Sequence, residues 1–286
     1  MLKNWLDFWR YNRILLCALA MSLTSASSIT LIGQIQWQAV FIVGLSTYAI
    51  YNLDNIFDKP HDKLVPVFIA RNWIKYLIWC IFTIPLALLI TFWLVIDNER
   101  SFLIFMTILG SISIAHIILT RRLLNRNNST FNLWAERLID SLVWCLAVVL
   151  IPVQYSGKTI TPQVIMAVVY VWQLCWVGEM VWDMTNAQKN IENDGFQLTR
   201  ILGEAFNIKM LKVVCATATI LAITDILLGY FPWYNLSVIF APLSNLVLIS
   251  LWDLLPKAKR MFDSLFFLVN TFCGLVVVIV YLVFQK

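Results

Sequence analysis

The chain reads as an all-α integral membrane protein built as a bundle of nine transmembrane helices. Three observations carry this. Of 286 residues, 60% are hydrophobic and only 13% charged, with mean hydropathy +0.79. A soluble domain has about 25% charged residues, and a spanning helix needs roughly 20 mostly apolar ones. Runs of that kind recur at 14–35, 37–57, 72–96, 101–119, 138–155, 163–182, 210–229, 233–252 and 264–284. The connections are short, and no repeat, low-complexity tract or flexible linker interrupts them, so residues 1–286 form a single domain.

Taken in order, residues 1–13 set Trp5, Phe8 and Trp9 among basic residues, an amphipathic lead-in lying in the membrane interface. The first span has the outline of a signal peptide, with basic residues before an apolar run ending near Ser25-Ala26-Ser27. Its apolar character continues to Ile32, which favours a retained helix. Ser22, Thr24, Ser25, Ser27 and Ser28 are small enough to let neighbouring helices approach closely. The second span runs into a polar segment, Tyr51-Asn52-Leu53-Asp54-Asn55-Ile56-Phe57-Asp58-Lys59-Pro60-His61-Asp62. The fourth carries His116, read as a packed or hydrogen-bonded histidine, and ends at Arg121-Arg122. Near the start of the fifth, Asp140 is placed for a structural ion pair with Arg137 or Arg122. The sixth runs into a second polar segment, from Glu179 to Gly203. Asp225 falls late in the seventh span, towards the far interface, where partial hydration is expected. Trp37, Trp73, Trp93, Trp134, Trp182, Trp233 and Trp252 lie near span ends, as an interfacial belt does. The six cysteines all fall within spans without a C-x-x-C pair and read as small buried hydrophobes.

Basic residues set the orientation. With the N-terminus cytoplasmic, eighteen of the 21 Lys and Arg residues collect on that side, leaving Arg100, Lys158 and Lys286 on the other. This is the positive-inside arrangement, and it places both polar segments at the cytoplasmic face. The net charge of +5 follows from that topology and from attraction to anionic lipid, and gives no case for nucleic acid.

Carboxylates bordering a membrane span are costly and suggest function. Asp54, Asp58 and Asp62 recur at intervals of four, nearly one helix face, drifting by about 40° per step. Stacked like charges repel, and a hard divalent cation such as Mg²⁺ removes the repulsion. Pro60 frays the helix before Asp62. The second segment repeats the device: Asp183, Asn186, Asn190 and Asp194 follow steps of three, four and four. Extended backwards, that stripe meets Glu179, Trp176 and Trp172, while the first meets Tyr51, Thr47 and Gly44. If the two helices face each other, an aromatic cavity lies beneath an acidic, metal-ready mouth. A diphosphate, with roughly three negative charges, needs intervening Mg²⁺ to sit against carboxylates. Aromatic faces suit the allylic cation left when its C–O bond ionises. Arg121 and Arg122 are the leading candidates to complete the phosphate site, with Lys63, Lys189 and Arg13 behind them.

On these residues the chain resembles the UbiA superfamily of intramembrane prenyltransferases. That family carries N-D-x-x-D-x-x-x-D after its second helix and D-x-x-D-x-x-x-D-x-x-x-G-x-x-T after its sixth. Here Asp54-Asn55, Asp58 and Asp62 match the first, with the opening pair exchanged. Asp183, Asn186, Asn190, Asp194, Gly195 and Thr199 match the second, before Leu202-Gly203, and Arg121-Arg122 resembles the family's basic pair after the fourth helix. The resemblance covers essentially the whole chain. It implies nine helices around a central cavity and Mg²⁺ held by Asp54, Asn55, Asp58, Asp62, Asp183, Asn186, Asn190 and Asp194. It also implies transfer of a prenyl group from a prenyl diphosphate to a lipophilic acceptor, aromatic by expectation, with membrane lipid around the site. Asp58, Glu179 and Asp183 are the candidate catalytic acids, and Thr47, Tyr51, Trp172 and Trp176 the candidate prenyl pocket. Two departures stand out: Asn186 and Asn190 replace family aspartates, and Val65-Pro66 stands where an Arg-Pro pair belongs. Terpene cyclisation and a non-catalytic lipid-binding role are the competing readings. A transporter is the weakest, since mid-span glycines are few and the acids gather at one membrane face.

Overall fold

The computed structural model describes residues 13–57, 73–96, 99–124, 130–189, 199, 202–232, 238–254 and 262–284, with some side chains near helix ends excluded. These form nine α-helices: α1 (Ile14–Ile32), α2 (Trp37–Phe57), α3 (Trp73–Ile96), α4 (Arg100–Leu124), α5 (Thr130–Tyr155), α6 (Pro162–Lys189), α7 (Glu204–Leu227), α8 (Phe240–Ser250) and α9 (Phe262–Phe284). No strand occurs among the described residues. In hydrocarbon every backbone donor and acceptor must be satisfied within the segment, and a helix does this along its whole length. Six of the helices are long and apolar enough to cross a membrane, so the chain is a multi-pass membrane protein.

Several helices overrun their apolar runs. α5 begins at Thr130 against an expected 138, α6 continues to Lys189 past 182, and α7 starts at Glu204 ahead of 210. An apolar run is as long as the bilayer is thick, whereas a helix continues into water as far as its hydrogen bonds allow. α8 departs the other way, starting at Phe240.

Neighbours in sequence pack as neighbours in space, and α9 returns against α1 to close the bundle. α1 is central, packed on α2, α5 and α9. Its small residues permit this. Ser22, Thr24 and Ser25 donate their hydroxyl hydrogens to carbonyls of their own helix at 2.7–2.9 Å, so each is buried without an orphan donor. A Cβ on Gly274 of α9 would lie 2.8 Å from Ser22 Oγ, so the two helices meet almost backbone to backbone. Asn245 of α8 and Asn270 of α9 exchange amide hydrogen bonds of 3.1 and 2.8 Å inside the bundle. α3 lies at the edge, and Ile74, Phe82 and Trp93 expose large apolar surface, a lipid face.

Two expectations need correction. Trp252 is buried rather than interfacial, its indole N–H donated to Glu204 at the start of α7. Asp225 is buried rather than exposed at the interface, and its carboxylate oxygens have no hydrogen-bond partner among the described residues. The chain folds back over it after α7, and the Tyr230 and Phe231 amides donate to the Asp225 carbonyl at 2.8 and 3.0 Å.

Candidate functional site

Polar side chains from α1, α2, α5 and α6 converge at one end of the bundle, where α1 and α5 begin and α2 and α6 end. Arg137, in the second turn of α5, is the hub. Its guanidinium lies 3.3 Å from Asp183 Oδ1, 3.7 Å from Glu179 Oε2 and 3.9 Å from Asp140 Oδ2. Asp183 and Glu179 share a face of α6 at a spacing of four, and Asp140 stands one turn along α5. The Asp140 pairing agrees with the sequence reading, but the tighter contact is with Asp183. On its other oxygen, Asp183 accepts the Thr199 backbone N–H at 3.0 Å and the Thr199 hydroxyl at 2.7 Å. Removing a buried charge from water is costly, and pairing with hydrogen bonds on both oxygens offsets it.

Arg13 occupies the neighbouring space. Its guanidinium carbon sits 4.6 Å from the Trp182 ring centroid on α6 and 5.9 Å from that of Tyr51 on α2. Arg13 adopts a left-handed backbone at φ 58°, ψ 20°, and is the one non-glycine residue with positive φ among those described. Tyr51 is held in turn: Trp144 of α5 donates its indole N–H to the phenol oxygen, and the two rings lie 5.7 Å apart. α2 and α6 do not pack along each other. α5 touches both, and α1 packs on α2 and α5. Near their C-terminal ends, α2 and α6 each contribute a ring to one polar cluster, Tyr51 and Trp182, both beside Arg13.

Deeper along α6, the aromatic stripe turns towards α5. Trp172 donates its indole N–H to Ser141 Oγ at 3.0 Å, and Trp176 packs on Trp134 at 5.6 Å. Thr47 on α2 is half-buried. These residues do not line the apolar cavity of about 50 Å³ found between α1, α6, α8 and α9, which is bounded by Leu23, Thr30, Tyr170, Leu174, Phe231 and Val277 among others.

The remaining candidates divide by position. Asp54 and Asn55 fall in the last turn of α2, Arg121 and Arg122 in the last turn of α4, and Asn186 and Lys189 in the last turn of α6. Their side chains lie outside the described residues, as do Asp58, Asp62, Lys63, Asn190 and Asp194 altogether. Among the described residues no three His, Cys, Asp or Glu side chains are grouped to hold a metal ion. The acids that do gather there surround an arginine. The oxygen donors of the two segments suit a hard cation in their chemistry. Sequence reasoning missed Arg137 as the centre of the cluster, Trp144 as the partner of Tyr51, and Trp182 as a platform for Arg13. For Arg137 the one local clue was its spacing of three from Asp140.

No protein-family model matches this chain, and no curated protein sequence matches it significantly. Among solved structures, a chain from a study of the biosynthesis of digeranylgeranylglyceryl phosphate synthase in membranes aligns over 98% of this chain and 98% of its own, at 14% identity and TM-score 0.59. At that identity the likeness speaks for architecture alone. From first helix to last, then, this chain shares the fold described for that membrane synthase.

Proposed function

We propose that the protein is a Mg²⁺-dependent intramembrane prenyltransferase of the UbiA type, moving a prenyl group from a prenyl diphosphate to a lipophilic, aromatic acceptor. One observation carries the reading. The C-terminal ends of α2 and α6, from which the two acidic segments emerge, each contribute a ring to one polar cluster, with Arg13 beside Tyr51 and Trp182. The shared fold and the paired motifs support it. In this proposal all nine helices span the membrane, the N-terminus is cytoplasmic, and the site opens on the cytoplasmic side.

Asp54, Asn55, Asp58 and Asp62 from the first segment, with Asn186, Asn190 and Asp194 from the second, are the residues that would hold the metal. Bound there, Mg²⁺ supplies charge neutralisation for a diphosphate leaving group. Arg121, Arg122, Lys63 and Lys189 add cationic contacts to the phosphates. Arg13, set over the Tyr51 and Trp182 rings, adds a further cationic contact for the phosphates, and Trp172 and Trp176 are the rings proposed to face an allylic cation. Glu179, partly exposed and held loosely by Arg137, is the better placed of the candidate bases to take the proton released from an acceptor.

A second reading, a non-catalytic lipid-binding paralogue, draws on the burial of Asp183 against Arg137 and on Asn186 and Asn190. Product analysis on the purified protein with geranyl, farnesyl and geranylgeranyl diphosphates, with and without Mg²⁺ and a phenolic acceptor, decides. Mg²⁺-dependent prenylated product upholds transfer. Hydrocarbon or alcohol products without acceptor indicate cyclisation, and an inert but folded sample favours the paralogue.

A further inference from the structure

We infer that Asp183 is a positioning residue that fastens the end of α6 to α5 and to Thr199, and is not a ligand of the metal. This rests on the prenyltransferase reading above and changes the role of one residue within it. The family motif would enrol this aspartate with the other carboxylates. The geometry around it points elsewhere.

A carboxylate offers about four lone-pair positions. Three are taken: Arg137 Nη2 on Oδ1 at 3.3 Å, and the Thr199 amide and hydroxyl on Oδ2 at 3.0 and 2.7 Å. What is left faces packed protein, since the Asp183 side chain is 2% exposed. Mg²⁺ dehydrates reluctantly and keeps several waters, so it needs open space beside its ligand, and Asp183 has none. A cation sharing Oδ1 would also stand next to the guanidinium and be repelled by it. Asp140 and Glu179 are more open. They are 24% and 19% exposed, and Arg137 approaches them at 3.9 and 3.7 Å, beyond hydrogen-bond length.

The tie also has a definite mechanical sense. Asp183 and Thr199 are sixteen residues apart, so their hydrogen bonds bring the chain beyond α6 back onto that helix. Arg137 anchors the same carboxylate to α5. Three parts of the chain meet on one buried side chain, at the end of the bundle where the acidic segments emerge. The first aspartate and the final threonine of the second motif are thus bonded to each other.

The test uses the full-length protein in lipid nanodiscs, with Mg²⁺ and inorganic pyrophosphate as the probe, titrated calorimetrically. Asp183→Ala cuts the tie and should weaken Mg²⁺-dependent pyrophosphate binding by roughly 10-fold or more, as loss of an outer-shell partner does. The paired variant Asp183→Asn with Arg137→Gln keeps hydrogen-bonding groups and removes both charges. It should return binding to within about threefold of wild type, well under the tenfold that 1.4 kcal/mol represents. Two results overturn the inference: the paired variant binding as weakly as Asp58→Ala, which is a ligand's behaviour, or Asp183→Ala binding as wild type does. A wild-type protein that fails to bind Mg²⁺ and pyrophosphate sinks the prenyltransferase reading instead. The clamp is then decided by a double-variant cycle on the thermal midpoint, in which coupled effects uphold it and additive ones refute it.

Discussion

The two ends of the bundle use polar side chains in opposite ways. At the far end they serve the backbone. Lys158 donates to the Leu31 and Ile32 carbonyls at 3.2 and 3.3 Å, Tyr281 donates to the Gly33 carbonyl at 2.8 Å, and Tyr170 donates to the Val238 carbonyl at 2.6 Å. Each contact covers a carbonyl that a helix end or turn leaves unsatisfied. At the end where the acidic segments emerge, side chains bind side chains across helices: Arg137 to three carboxylates, Trp144 to Tyr51, Trp252 to Glu204. Caps finish helices, whereas a cross-helix network fixes side chains relative to one another, as a binding site requires. One end completes single helices, and the other ties helices to one another.

Substitutions at the two ends should therefore fail differently. The largest effect is expected at Asp58: changed to alanine, it should lower turnover by about 100-fold or more while circular dichroism and the thermal midpoint stay near wild type. Full turnover in that variant would break the assignment of chemistry to this end. Next is Arg137→Met, which leaves the Asp183 carboxylate buried without its cation and should cost about 3 kcal/mol of stability. Thermal unfolding in a defined detergent reads this, and a change under about 0.5 kcal/mol, the size of an ordinary surface substitution, would show the hub to be dispensable. In the middle of the bundle, Gly274→Ala drives a Cβ to within 3.0 Å of the Ser22 backbone carbon. Crowding of backbone by backbone should cost about 1–3 kcal/mol, with no effect on turnover per folded molecule. The smallest effect belongs to the far end. Lys158→Met removes a cap on α1 and should cost about 0.5 kcal/mol, leaving turnover unchanged. Loss of turnover there would erase the contrast between the two ends.

Much of the architecture was readable residue by residue. Each apolar run meets a helix among the described residues, and six of these helices are long and apolar enough to cross a membrane, because a span demands length and composition. Their ends were less readable, because Thr130, Lys189 and Glu204 are polar residues that extend a helix without extending its apolar run. The serine-rich face of α1 was legible as a close-packing surface because small side chains have few other uses inside a membrane. The two acidic stripes rest on helical spacing of like charges, and most of their side chains lie outside the described residues. Arg137 was legible only as a partner for Asp140, three residues on, and not as the hub, since its best partner, Asp183, is 46 residues away. Trp252 was misread for a similar reason: near a span end, a tryptophan at the interface and one buried on Glu204 look alike in sequence.

The linear order of residues settled the solvent this chain folds in, the elements it uses, and the faces on which its acids recur, because hydropathy and periodicity are properties of neighbours along the chain. Only the folded arrangement decided which charges meet. Asp183 became a buried tie between Arg137 and Thr199, Asp225 was buried, and Arg13 came to rest beside Tyr51 and Trp182. Those outcomes depend on distances between helices far apart in sequence, and in a medium of low polarity such distances decide whether a charge is held, hidden or free to act.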